Sequence, residues 1–157
     1  MNLTGWKSSR FLTRSFTDDA SSTAGTKIYD KINTACKTVG YSGVYYRVTA
    51  KPMVAYTYDP RIEQPQPPIT YTDATIVGNH SYSVLGVHLI GAEKYIVMRN
   101  PWGQKGAGPG SGDPGLSGLA TGPWYRVTDL AESGDAIFGL KASEFKNYFK
   151  GFGWVSL

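Results

Sequence analysis

The order of residues points to an α+β fold, a single lobe over residues 1–157 built around an antiparallel sheet. Three observations carry that expectation. Charged residues make up only 18% of the chain while Tyr (11) and Gly (19) are plentiful, a mixture that favours strands and turns over long helices. An apolar stripe at helical spacing comes early, and short apolar runs recur through most of the remaining chain. Two of those runs flank Gly91-Ala92 closely enough to form a hairpin. At 157 residues the chain is long enough to bury one modest core.

Each element follows from local chemistry. Residues 1–23 are polar and rich in Ser and Thr, and read as loop. Thr26 is placed to cap a helix running through about Val39, with Asp30 in its early part and Gly40 as its terminator. Ile28, Ile32, Ala35, Cys36 and Val39 form its apolar stripe. Val44–Val48 and Met53–Tyr58 read as strands. From Asp59 to Pro68 the prolines at 60, 65, 67 and 68 call for an extended loop. Ser81–Val87 and Lys94–Arg99 are expected to pair across the Gly91-Ala92 turn. Residues Gly103–Gly122 are almost all Gly, Pro, Ser and Ala, which predicts a long loop. Trp124–Val127 and Ile137–Leu140 are short strand candidates, Ala142–Phe149 a short helix, and Trp154–Leu157 a closing strand. No internal repeat is present.

Composition also excludes. The net charge of +4 is mild and no Lys/Arg run occurs, so no nucleic-acid partner is expected. No apolar stretch is long enough to cross a membrane, and Met1–Trp6 lacks the basic start and apolar segment of a secretory signal. One cysteine permits no internal disulfide, so a reducing, cytoplasmic setting is permitted. Two histidines without a cysteine pair leave no zinc-like spacing.

Three residues suggest chemistry. His80 follows the turn dipeptide Gly78-Asn79 and heads an apolar strand. Asn100 closes the next strand, and Trp102 lies two residues behind it. Taken singly, each has an ordinary reading: a surface turn histidine, an asparagine held extended before Pro101, a core tryptophan. Hairpin pairing changes this, because it brings the start of one strand beside the end of the next. An imidazole that takes a thiol proton, an amide that fixes the ring, and an indole that shields the pair are the parts a papain-type cysteine peptidase needs.

The blocks His80-Ser81-Tyr82-Ser83-Val84-Leu85-Gly86 and Arg99-Asn100-Pro101-Trp102-Gly103 closely resemble the second catalytic subdomain of calpain-type cysteine peptidases. Leu3-Thr4-Gly5, the helix with Lys27-Ile28-Tyr29, and the aromatic segment Phe138–Phe149 resemble its flanks. The likeness implies a half-barrel lobe with a few short helices, as in the second lobe of papain-like enzymes. It implies His80 as general base, Asn100 as its orienter and Trp102 as the shield. It further implies a nucleophile-bearing first lobe as partner, from the same precursor or a second chain, and a protein or peptide substrate.

Two parts of the family pattern are missing. The Gln-Gly-x-x-Gly-Asp-Cys-Trp block that supplies nucleophile and oxyanion-hole glutamine does not occur. Cys36, the one thiol, falls on the helical stripe and reads as a core residue. The resemblance also implies calcium held by acidic loops, yet Gln104–Gly108 supplies no carboxylate, so no metal ligand and no certain cofactor is assigned. The isolated chain is therefore expected to be inactive. A non-catalytic peptidase-derived interaction module is the alternative, and an acyl transferase on the same scaffold a third reading. The glycines between Gly106 and Gly118 lack the Lys-Ser/Thr pair of a phosphate loop, and Ser81 and Ser83 lack the glycines of a nucleophile elbow. His88 and Tyr45, Tyr46, Tyr56 and Tyr58 read as sheet residues.

Overall fold

The computed structural model describes residues 7–13, 21–41, 43–63, 71, 76–102, 116–117 and 137–156. Within them the chain forms β1 (Lys7–Leu12), α1 (Ser21–Asn33), β2 (Cys36–Tyr41), β3 (Val44–Thr49), β4 (Met53–Thr57), β5 (Ser81–Ile90), β6 (Glu93–Arg99), β7 (Leu116–Ser117), β8 (Ile137–Lys141), α2 (Ala142–Tyr148) and β9 (Phe149–Ser156). The fold is α+β, with two short helices and one antiparallel sheet, as the sequence led us to expect.

The sheet runs β1-β9-β4-β5-β6-β8-β7, with β2 and β3 attached through β5. β5 is its hub. One edge pairs with β6 along most of its length, Ser83 opposite Arg99 and Ile90 opposite Glu93. The other edge is shared: β4 takes its start, with Tyr56 opposite Ser81, and β3 takes its middle, with Arg47 opposite Val87. The β5–β6 register slips between Val84 and Gly86, near the handover from β4 to β3. Thr49 Oγ1 meets the Val84 and Leu85 carbonyls there, at 3.2 and 3.3 Å.

The alternation of β-strands explains where the core sits. Ala55, Tyr82, Val84, Ile96, Met98, Phe138, Leu140 and Phe152 face α1 and α2, which contribute Ile28, Ile32 and Phe145. β6 is buried over four successive residues, Tyr95–Met98, because its other face is covered too. There Val97 and Ile137 pack with Tyr46, flanked by Val48 and Leu85. The helices cross where Gly25 meets the start of α2: a Cβ on Gly25 would stand 2.5 Å from the Ala142 carbonyl oxygen, so only glycine permits the approach.

Several expectations are corrected. The polar N-terminal stretch is not all loop, because Lys7–Leu12 forms edge strand β1 against β9. An edge strand tolerates the run Lys-Ser-Ser-Arg, and Phe11 anchors it by stacking 4.9 Å from the Trp154 ring. The first helix spans Ser21–Asn33 rather than Thr26–Val39, so Thr26 is not its cap and Gly40 not its terminator. Its end is fixed from afar. Arg47 Nη2 donates to the Asn33 and Cys36 carbonyls at 2.9 Å, and its Nε donates to Asn33 Oδ1 at 2.7 Å. Those bonds satisfy end-of-helix oxygens and release Cys36–Tyr41 into a ladder with β3. The expected hairpin turn at Gly91-Ala92 and the strands around it are present, β5 running on to Ile90. The closing strand begins at Phe149, five residues before the expected Trp154. Within the expected glycine-rich loop, Leu116–Ser117 pairs with β8 as β7. Residues 3–5, the rest of that loop and the strand expected at 124–127 lie outside the described residues.

Candidate active site

The mouth of β5 is set by a strained residue and a threonine. Asn79 takes a left-handed backbone (φ 51°), a conformation that asparagine accepts more readily than most residues, and its N–H donates to the Tyr58 carbonyl at 2.8 Å. Thr57, buried at the end of β4, then grips His80 by its backbone. The His80 N–H donates to Thr57 Oγ1 at 2.9 Å, and the Thr57 N–H donates to the His80 carbonyl at 3.0 Å. Thr57 Oγ1 also lies within donating distance of the Val77 and His80 carbonyls, at 2.8 and 3.1 Å. Three contacts from Thr57 to the His80 backbone leave the histidine little freedom except ring rotation.

The ring is held as well. His80 Nε2 lies 2.9 Å from Asn100 Oδ1. Asn100 directly follows β6 with no solvent exposure, and the same Oδ1 accepts the Trp102 N–H at 3.1 Å, a side-chain turn across Pro101. That backbone donor fixes which end of the amide is oxygen. An oxygen only accepts, so Nε2 must carry the proton it donates, and in the neutral ring the lone pair resides on Nδ1. Nδ1 has no hydrogen-bond partner among the described residues. Asn100 Nδ2 is buried and unpaired among them, a cost of about 1–3 kcal/mol for a group of this kind.

Aromatic rings flank the imidazole. The Trp102 ring lies over it with centroids 4.2 Å apart, and the Tyr82 ring meets it edge-on at 4.9 Å. Tyr82 belongs to the core, whereas Trp102 is 59% exposed, so the indole covers the pair from the solvent side instead of joining the core. Beside His80 opens a cleft of about 560 Å³, bordered by Tyr56, Ser81 and Pro101.

The three residues singled out in sequence are thus neighbours. Cys36 is not with them, and its expected place on a helix is corrected: it opens β2, half-buried, with β3 between it and β5. Its Sγ lies 3.4 Å from the Ile32 carbonyl, and burial pushes the thiol up to about 11 against the opposing pull of Arg47. That setting suppresses a thiolate. His88 stacks on Tyr46 at 5.5 Å, as befits a sheet residue, and burial lowers its pKa. No cluster of three or more His, Cys, Asp or Glu suited to a metal exists among the described residues, and no described helix is long and apolar enough to cross a membrane.

Sequence reasoning missed Thr57 and Asn79 as supports, and Tyr82 as the second ring wall. The Gly-Asn dipeptide hinted at the turn. Thr57 gave no signal, because its role depends on the register of β4 against β5. No protein-family model and no curated protein matches this chain.

Proposed function

We propose that this chain is the His/Asn lobe of a calpain-like cysteine peptidase, a half-barrel lobe that hydrolyses peptide bonds with a cysteine supplied from outside the sequence. The observation that carries the reading is the bond from His80 Nε2–H to Asn100 Oδ1, fixed by the Trp102 N–H. It leaves Nδ1 as the nitrogen able to take a thiol proton. In the assembled enzyme, Nδ1 deprotonates the partner lobe's cysteine and the thiolate attacks the scissile carbonyl. The imidazolium then protonates the leaving amine, and water, deprotonated by the same ring, releases the acyl group. Asn100 holds the ring's orientation through these steps, and Trp102 keeps water from their bond. The partner lobe supplies the oxyanion donors. Calcium control stays with the resemblance alone.

The interaction-module reading has one observation in its favour: Cys36, the chain's one thiol, is half-buried on β2 with β3 between it and the strand that His80 heads, and burial disfavours its thiolate. The test joins this chain to a calpain-type first lobe carrying the Gln…Cys-Trp block. The fused protein is expected to cleave unstructured peptides, and His80→Ala to remove turnover by about three or more orders of magnitude with an unchanged melting temperature. A well-folded fusion that binds peptides without cleaving them would favour the module.

A further inference from the structure

We propose that Arg10 makes the cleft beside His80 a subsite for an acidic side chain of an extended peptide. The proposal rests on the peptidase reading for the peptide's fate, but the recognition belongs to this lobe alone.

The cleft of about 560 Å³ is lined by four charged residues, Arg10, Asp59, Glu63 and Lys150. Three of them are neutralised. Lys150 pairs with Glu63, and Asp59 is gripped by Arg61 at 2.8 Å, whose hydrogen bonds hold its carboxyl below the ordinary value. Among the described residues Arg10 has no carboxylate partner, so among them its positive charge is the uncompensated one in the cleft.

Its guanidinium is also held in position. Tyr56 lies across Gly151 on the neighbouring strand, where a Cβ would stand 2.5 Å from the Phe11 carbonyl and collide with the Tyr56 hydroxyl. Through that gap Tyr56 reaches β1, and Arg10 Nε donates to its hydroxyl at 2.6 Å. The guanidinium carbon lies 5.2 Å from the centre of the Tyr56 ring. With Nε engaged, Nη1 and Nη2 have no acceptor among the described residues and present their donors to a carboxylate, the fork geometry that suits a two-oxygen acceptor. Tyr56 stands opposite Ser81 on β5, the residue after His80, and Arg10 and His80 border the same cleft. Beyond Arg10 and Tyr56 the surface continues into a groove of about 320 Å³ walled by Pro52, Val54, Trp154 and Val155. Apolar walls beyond the Arg10 guanidinium suit a peptide chain better than a small free anion.

The experiment is fluorescence anisotropy on the intact chain at low ionic strength. The probes are labelled, N-acetylated, C-amidated octapeptides of small apolar residues with Glu or Gln at the centre. The Glu peptide is expected to bind about tenfold more tightly, with the advantage shrinking as salt rises. Arg10→Gln should erase the difference, and Tyr56→Phe should reduce it by freeing the guanidinium. Arg10 is exposed on an edge strand, and circular dichroism confirms that the variants fold. Equal affinity for the two peptides, or a preference that survives Arg10→Gln, would overturn the proposal. So would a Gln peptide with a free C-terminal carboxylate that matches the Glu peptide, since the site would then read chain ends. Binding is measured without turnover, so failure here leaves the peptidase reading standing, and an inactive fusion leaves this result standing.

Discussion

Asn100 Oδ1 accepts from both the His80 ring and the Trp102 backbone, and the amide's other end is buried without a partner among the described residues. Asn100→Ala removes two hydrogen bonds but also an unsatisfied donor, so it is expected to cost only about 1 kcal/mol in urea unfolding. Its larger effect should be on the ring: nitrogen-resolved imidazole spectra should show the Nε2–H form dominant in the parent and a mixture of tautomers in the variant. Cys36 gives a second residue-scale prediction. Its thiol is raised from 9.0 to about 11, so alkylation of the native protein should be slow near neutrality and keep accelerating to about pH 11. Unfolding in denaturant should restore ordinary reactivity. The raised value binds its proton more tightly in the native state, so this group's contribution to stability is complete below pH 9 and lost as pH rises toward 11. The His-Ser-Tyr and Arg-Asn-Pro-Trp blocks were legible in sequence because turn and strand signals surround them. Thr57 and Arg10 were not, because each reaches the site only through pairing between strands distant in sequence.

At the scale of elements, the sequence anticipates β3 to β6, β8 and β9, whereas β1 and β7 read as loop, β2 reads as helix, and the first helix's ends are misplaced. The stripe Ile28, Ile32, Ala35, Cys36 keeps its spacing past the true helix end, since Ala35 in the turn and Cys36 at the start of β2 pack against the same core that Ile28 and Ile32 join from α1. Periodicity alone could not mark the change. The marker is Arg47, fourteen residues beyond Asn33, which occupies the terminal carbonyls. β1 was missed because an edge strand needs no apolar alternation. The close crossing of α1 and α2 yields a third prediction. Gly25→Ala gains up to about 1 kcal/mol of helix propensity, but forces the Ala142 backbone away from contact at 2.5 Å. Overpacking of this kind costs about 1–3 kcal/mol, so a net loss of stability is expected, read as a lower urea midpoint with unchanged slope.

For the whole molecule, the order of strands predicts an order of opening. β5 and β6 are paired on both sides, while among the described strands β1, β2 and β7 each have one neighbour. Native-state hydrogen exchange should be slowest in residues 81–99 and fastest at the paired edges, with the His80 and Asn100 region among the most protected. Slower exchange in β2 than in β5 would contradict this topology. The central hairpin was the part of the fold most legible in sequence, because its two apolar runs lie close together. The arrangement around it depended on non-local pairing that no local pattern records. The forked edge of β5 has a consequence for how such a molecule can diversify. The branch through β4 carries the supports of the histidine, and the branch through β3 carries the helix cap, so the two duties are separately heritable. Changes of length between the end of β2 and the start of β3 would fall on a branch tip away from the β4 pairing that carries Thr57 and Tyr56. That tip, where Tyr45 is 79% exposed, is a natural place for grafted segments or acquired domains that leave the chemistry untouched.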